Sequence, residues 1–100
     1  MIVAIVKAKI LSDKIDELRH IANTLQFDYA PFEKGCNRYE SFIDGDSFIT
    51  IEVWESQELL DVHFEQAHVK KYVPKMKQCI VNGTFDVTFI KDGTLSQIEI

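Results

Sequence analysis

The sequence predicts an α+β domain, a ferredoxin-like βαββαβ chain whose antiparallel sheet carries its helices on one face. Three observations predict it. Apolar residues alternate with period two in four segments and recur with helical period between them, in the order strand, helix, strand, strand, helix, strand. Turn signals separate the sheet segments where an antiparallel sheet needs them: Asp44-Gly45-Asp46, Asn82-Gly83 and Asp92-Gly93. Finally, 100 residues that are 46% apolar and 27% charged have room for one modest core, so residues 1–100 read as a single domain.

Strand one is Ile2 to Leu11. Ile2, Ala4, Val6, Ala8 and Ile10 make one face wholly apolar, while Val3 and Ile5 precede Lys7 and Lys9 on the other. Ser12 is expected to cap the first helix with Asp13 in its first turn. Ile15, Leu18, Ala22, Leu25 and Tyr29 then follow a helical period, and His20 falls on the solvent side. Pro31 is expected to end that helix, because the residue before a proline is pushed out of the helical region. Gly35 opens strand two, Cys36 to Ile43, and strand three follows from Ser47 to Trp54.

The stretch from Glu52 to Tyr72 is the chemically loaded one. Strand three ends with Ile49, Ile51 and Val53 alternating with Phe48, Thr50, Glu52 and Trp54. Ser56 can accept a hydrogen bond from the free amides of the next helix, and Glu58 suits the dipole of its first turn. Leu59, Leu60, His63, Phe64 and Ala67 share one face of that helix, which sets an imidazole among residues expected to turn inward. Pro74 is expected to start a new segment or kink an old one, so His68 to Val81 reads as a short separate helix or a bent continuation. Strand four is Thr84 to Lys91, and Leu95 to Ile100 can add a further short strand.

Charge and composition narrow the function classes. The formal net charge is −5, with no concentrated basic patch to offset it, which argues against a nucleic-acid partner. Strand three, SFITIEVW, also lacks the basic residues that an RNA-binding sheet of this topology would present. The apolar N-terminus has no basic region before it and is too short to span a bilayer, so no membrane role and a cytoplasmic location are expected. Cys36 and Cys79 have no metal-ligand spacing and read as free thiols, with nothing in the sequence to activate Cys36 as a nucleophile. Strands that are apolar on both faces leave a helix-free sheet face to be covered, and a second copy of the chain packing sheet to sheet would cover it. A homodimer is therefore expected.

The run Glu52-x-Trp54-Glu55-Ser56, followed by Leu60-x-x-His63 and His68-x-Lys70-x-Tyr72, resembles the antibiotic biosynthesis monooxygenase (ABM) family. The segment Glu33-Lys34-Gly35-Cys36-x-x-Tyr39 is similar to that family's lead-in to strand two. The resemblance implies a dimeric α/β barrel with a small pocket between sheet and helices in each subunit. It implies a cofactor-independent monooxygenase acting on a quinol or phenol-type aromatic with molecular oxygen. The wider fold also includes haem-degrading oxygenases, an isomerase of a phosphorylated sugar derivative and members with no known reaction, so the resemblance bears on fold more than on chemistry. The haem-degrading branch pairs a strand-one Asn with a Trp and a haem-ligating His. Strand one here has no Asn, and His63 and Val73 lie near the positions of that Trp and that ligand. No cofactor and no metal are therefore expected.

Oxygenation without a cofactor needs a substrate that can give electrons to dioxygen once deprotonated, hence a base and a dry pocket. His63 is the candidate base and His68 the second catalytic candidate. Trp54, Phe64, Phe42 and Tyr72 are candidates for the enclosure, and Tyr39 or Asn37 for hydrogen bonds to substrate oxygens. Each has a plainer reading: His63 as a core histidine with internal partners, His68 as a helix-end residue, and Trp54 and Phe64 as core. Glu52 reads as an interface or solvent carboxylate that can pair with Arg38 across the hairpin. The competing functions are an isomerase of a small carbonyl compound using the same histidine, and a non-catalytic dimer that binds small molecules or acts in stress protection.

Overall fold

The computed structural model describes all residues from Met1 to Ile100. Its centre is a five-stranded sheet of β1 (Ile2–Lys9), β2 (Cys36–Asp44), β3 (Ser47–Trp54), β4 (Asp86–Lys91) and β5 (Thr94–Glu99), in the order β2-β3-β1-β4-β5. Every neighbouring pair is antiparallel. The ferredoxin-like arrangement read from the period-two segments is the observed one, and the tail after Gly93 adds an edge strand to it. Phe85 and Ile100 exchange both backbone hydrogen bonds, so the last ladder runs to the chain's final residue.

The alternation decides which side chains meet the helices. Ile2 and Ala4 on β1, and Phe48, Thr50, Glu52 and Trp54 on β3, are buried, while Val3, Ile5, Ile49, Ile51 and Val53 are only partly so. The main core joins Ile10, Phe48, Phe85 and Val87 on the sheet side to Leu18, Ile21, Ala22, Leu25 and Met76 from the helices. A second cluster of Ile2, Trp54 and Leu60 closes the end where the site lies.

Helix α1 (Ile15–Asn23) begins later than its expected cap. The Lys14 amide donates to the Leu11 carbonyl, forming a turn that leaves Ser12 and Asp13 outside the helix. At its other end the helix does not stop before Pro31. It widens into a π-helical stretch, Thr24–Tyr29, and then tightens into a 3-10 turn, Ala30–Phe32, that contains the proline. Proline is tolerated there because the first turn of a helix needs no amide from it.

Helix α2 (Gln57–Glu65) starts as its sequence indicates, with the Leu59 amide donating to Ser56 Oγ at 3.3 Å. Helix α3 (Ala67–Lys77) is separate, and the break falls at Gln66, whose ψ of 140° is extended. Pro74 lies inside α3, at an exposed position, where it leaves the Lys70 carbonyl without an amide from the next turn. The inward face of α2 is narrower than its periodicity suggests: Leu60 and His63 are buried, but Phe64 is 43% exposed and Ala67 is exposed.

Candidate functional site

The site forms where the C-terminal turn of α2, the start of α3 and the lead-in to β2 meet the end of β3. His63, in the last turn of α2, is 6% exposed. Its Nδ1 lies 2.8 Å from Oε1 of Glu33, a residue between the 3-10 turn and β2. Its Nε2 lies 3.8 Å from Oε1 of Glu52, too far for a hydrogen bond. The same Glu52 oxygen accepts a 3.0 Å hydrogen bond from Trp54 Nε1, and the Trp54 ring sits 4.5 Å from the imidazole. His68, at the start of α3, stacks on Tyr29 at 4.3 Å and brings Nε2 to 3.3 Å from Glu33 Oε2. That approach lacks hydrogen-bonding geometry, and the buried Nε2 of His68 has no hydrogen-bond partner.

Environment drives the two carboxylates in opposite directions. Burial would raise Glu33, but the hydrogen bond and charge of His63, with lesser help from His68, outweigh it and hold the carboxyl below its ordinary range. Burial dominates at Glu52 and pushes it up, against the opposing effects of His63 and the Trp54 hydrogen bond. An ionised Glu33 can only accept, so Nδ1 of His63 carries a proton. The lone pair of the neutral ring is then on Nε2, toward Glu52.

That side opens on a cavity of about 360 Å³, within the range of small-molecule pockets. Thirteen of its sixteen lining residues are hydrophobic, and none is Lys or Arg. Its polar groups are His63, Glu52, Thr50 and the Tyr39 hydroxyl. Burial, reinforced by Glu52 and Glu33, raises the Tyr39 phenol well above its usual value, so that hydroxyl stays a neutral donor. Ile98 and Ile100 of the edge strand complete the apolar wall.

The structure brings some of the sequence-predicted residues together and leaves others apart. His63, Tyr39 and Phe64 line the cavity. Trp54 and His68 are one layer behind, in contact with His63 and facing Glu33 respectively. Phe42 does not belong to the enclosure. It pairs with Ile49 on the helix-free face and is 47% exposed. Asn37 is also displaced, because the β2–β3 register shifts between Cys36 and Arg38 and leaves it as an exposed bulge residue. Tyr72 packs near Tyr29, with Lys71 and Lys75 ammonium groups over its ring, outside the cavity lining.

Two acidic residues change their reading. Glu52 is buried, not a solvent or interface carboxylate, and Arg38 bonds to Glu40 at 2.6 Å instead. Its position in the alternation with Phe48 and Trp54 carried that signal. Glu33 had none as a ligand of the imidazole, since its partner His63 lies thirty positions away. Cys36 and Cys79 are free. Burial, then Glu33 and Glu52, push the Cys36 thiol up to about 11, so it is a poor nucleophile.

These elements make a two-layer α+β domain with an apolar cavity closed at one end by a carboxylate-held histidine. The family described as antibiotic biosynthesis monooxygenase matches residues 1–75, and the chain belongs to that family. Solved structures agree on the fold. Rv0793 from Mycobacterium tuberculosis superposes with a TM-score of 0.82 at 20% identity, covering 90% of this chain and 92% of its own. A Deinococcus radiodurans protein, provisionally named an antibiotic biosynthesis monooxygenase, gives 0.82 at 17% identity, with 98% of each chain covered. A conserved protein from Methanosarcina mazei Go1 gives 0.76 at 19% identity, over 99% of this chain and 89% of that one. No curated protein matches the sequence. No helix is long and apolar enough to cross a membrane.

Proposed function

We propose that this chain is a monooxygenase that needs no cofactor and oxidises a small phenol or quinol-type aromatic with dioxygen, with His63 as its base. The observation that carries the reading is the two-sided placement of His63, Nδ1 on a buried carboxylate and Nε2 toward an apolar cavity of about 360 Å³. Nε2 takes the phenolic proton, and the Glu33 carboxylate holds the ring and stabilises the imidazolium that forms. The electron-rich phenolate then reduces dioxygen. A ring C–H and the phenol O–H are replaced by a second carbonyl and one molecule of water, so the substrate supplies all four electrons and no other reductant is needed. Apolar walls keep bulk water from the intermediates. Glu52, whose carboxyl burial pushes toward its neutral form, and the Tyr39 hydroxyl face the same cavity as hydrogen-bonding partners for the substrate's oxygens.

A second reading draws on Glu52. A buried carboxyl pushed toward its protonated form, opposite a base, can return a proton to a different carbon, which is the chemistry of a carbonyl isomerase. The absence of Lys and Arg from the lining disfavours a phosphorylated substrate for either reaction. In both, two copies would pair through their helix-free sheet faces, each keeping its own cavity.

The test is oxygen uptake by chelator-treated protein against a panel of quinols and hydroxynaphthalenes, wild type beside His63→Ala. Saturable uptake that falls at least about tenfold in the variant supports the base. Uptake no faster than the buffer blank sinks the oxygenase reading, and proton exchange into carbonyl compounds then tests the isomerase.

A further inference from the structure

Behind the cavity, on the side of His63 that substrate would not reach, Glu33, His63 and His68 gather three donor atoms. One ring nitrogen each of His63 and His68 and a carboxylate oxygen of Glu33 all lie within 4.8 Å of one another, and the nitrogens that face Glu33 are Nδ1 of His63 and Nε2 of His68. They come from three separate elements: the lead-in to β2, the last turn of α2 and the first turn of α3. We infer that this cluster is a binding site for a divalent transition-metal cation of the Zn²⁺ type, and that the cation switches His63 off as a base.

Three features carry the site beyond a hydrogen-bonded pair. The donor set is two imidazoles and one carboxylate, the borderline nitrogen and oxygen mix that suits zinc and its neighbours. Four-coordinate zinc with bonds of about 2.0–2.1 Å sets its ligand atoms about 3.3 Å apart. Nε2 of His68 already stands 3.3 Å from Glu33 Oε2, whereas His63 Nδ1 contacts the other oxygen, Oε1, at 2.8 Å, so the carboxylate must turn to present one oxygen to a metal shared with both rings. The Nε2 atom of His68 is also buried with no hydrogen-bond partner, aimed at the carboxylate but misaligned for a hydrogen bond. A metal ion between the groups would satisfy it, and stacking on Tyr29 already holds the ring in place.

The consequence for chemistry follows from the ring's two nitrogens. A cation on Nδ1 takes that lone pair and leaves the proton on Nε2, which faces Glu52 and the cavity. His63 then presents a donor where the proposed oxygenase needs an acceptor. The inhibitory part rests on the proposed function, whereas the binding part does not.

Chelator-treated protein is titrated with Co²⁺ at neutral pH, following its visible ligand-field bands, and Zn²⁺ is added to displace it. One equivalent per chain is expected, weakened at least about tenfold in His68→Ala and again in Glu33→Gln, and unchanged in His20→Ala. Circular dichroism verifies that each variant is folded, and Glu33→Gln serves alone if His68→Ala is not. No saturable cobalt spectrum, or one that both folded variants retain, overturns the site. With the panel substrate, one equivalent of Zn²⁺ should abolish oxygen uptake in wild type, and added chelator should restore it. If cobalt binds as described but uptake is absent throughout, the proposed oxygenase fails and the metal site stands.

Discussion

Glu33 connects stability to chemistry because its carboxylate is buried against two imidazoles. Its carboxyl lies below the ordinary range in the folded chain, so the stability it contributes is present above the unfolded value of about 4.3 and is lost as pH falls through the folded one. Glu33→Gln should therefore cost about 1–3 kcal/mol at pH 7, measured by urea unfolding, with the difference closing at acid pH. In the proposed reaction Glu33 is a positioning residue outside the cavity lining, so its loss should lower kcat about tenfold with little change in KM. Glu52 has the opposite sign. Its folded value is raised, so wild-type stability declines as pH rises from the unfolded value toward the folded one. Glu52→Gln keeps an oxygen for Trp54 Nε1 and removes the ionisation. It should melt at or near the wild-type temperature at pH 4 and above it at pH 8; a variant less stable at pH 8 would refute the assignment.

At the scale of elements, the connection that delivers Glu33 depends on one backbone position. Gly35 has φ of +81°, and a Cβ there would drive into the Leu59 side chain of α2. Gly35→Ala should destabilise the fold by about 2–4 kcal/mol in urea titrations, and an unchanged midpoint would show that the loop relaxes freely. The outer edge is more permissive. Ile98 is 47% exposed yet lines the cavity, so Ile98→Asp should leave the melting temperature near wild type while weakening binding of an apolar phenol about tenfold, read from Trp54 fluorescence.

Elements were legible where their signal was local. The Ser56 cap, the strand alternation and the turns at Gly45 and Gly93 all follow from neighbours in sequence. Ser12 and Pro31 misled for one reason: each has its usual meaning only if the helix begins or ends there, and contacts from Leu11 and a π-helical widening moved both ends. The site was half legible. Periodicity turned His63 inward, whereas its Glu33 partner depends on how three separate elements dock, which no short-range pattern encodes.

At the scale of the whole molecule, the helix-free face of the sheet presents an apolar stripe. Val53, Val3 and Ile90 sit side by side across three strands, Ile51 lies beside Ile5, and Ile49 lies beside Phe42. All but Phe42 are partly buried by their neighbours alone, and no element of the chain crosses above them. Bordered by Arg38, Glu40 and Lys7 on the same face, this apolar stripe marks an interaction surface. Its occupant is best matched by a second copy, because a twofold axis sets the same stripe against itself and buries both at once. A stable pairing of about 800 Å² per partner needs most of that face. Light scattering on the purified chain at about 10 µM should return twice the mass of one chain, well above the micromolar range of weak association. Ile51→Glu places a carboxylate in the middle of the stripe, where pairing would bury two like charges together, and should return a single-chain mass with unchanged circular dichroism. A wild type that stays monomeric at that concentration would mean that the sheet face is covered by something other than a second copy. An Ile51→Glu variant that stays dimeric would move the interface off this face, to the β5 edge with its exposed Leu95.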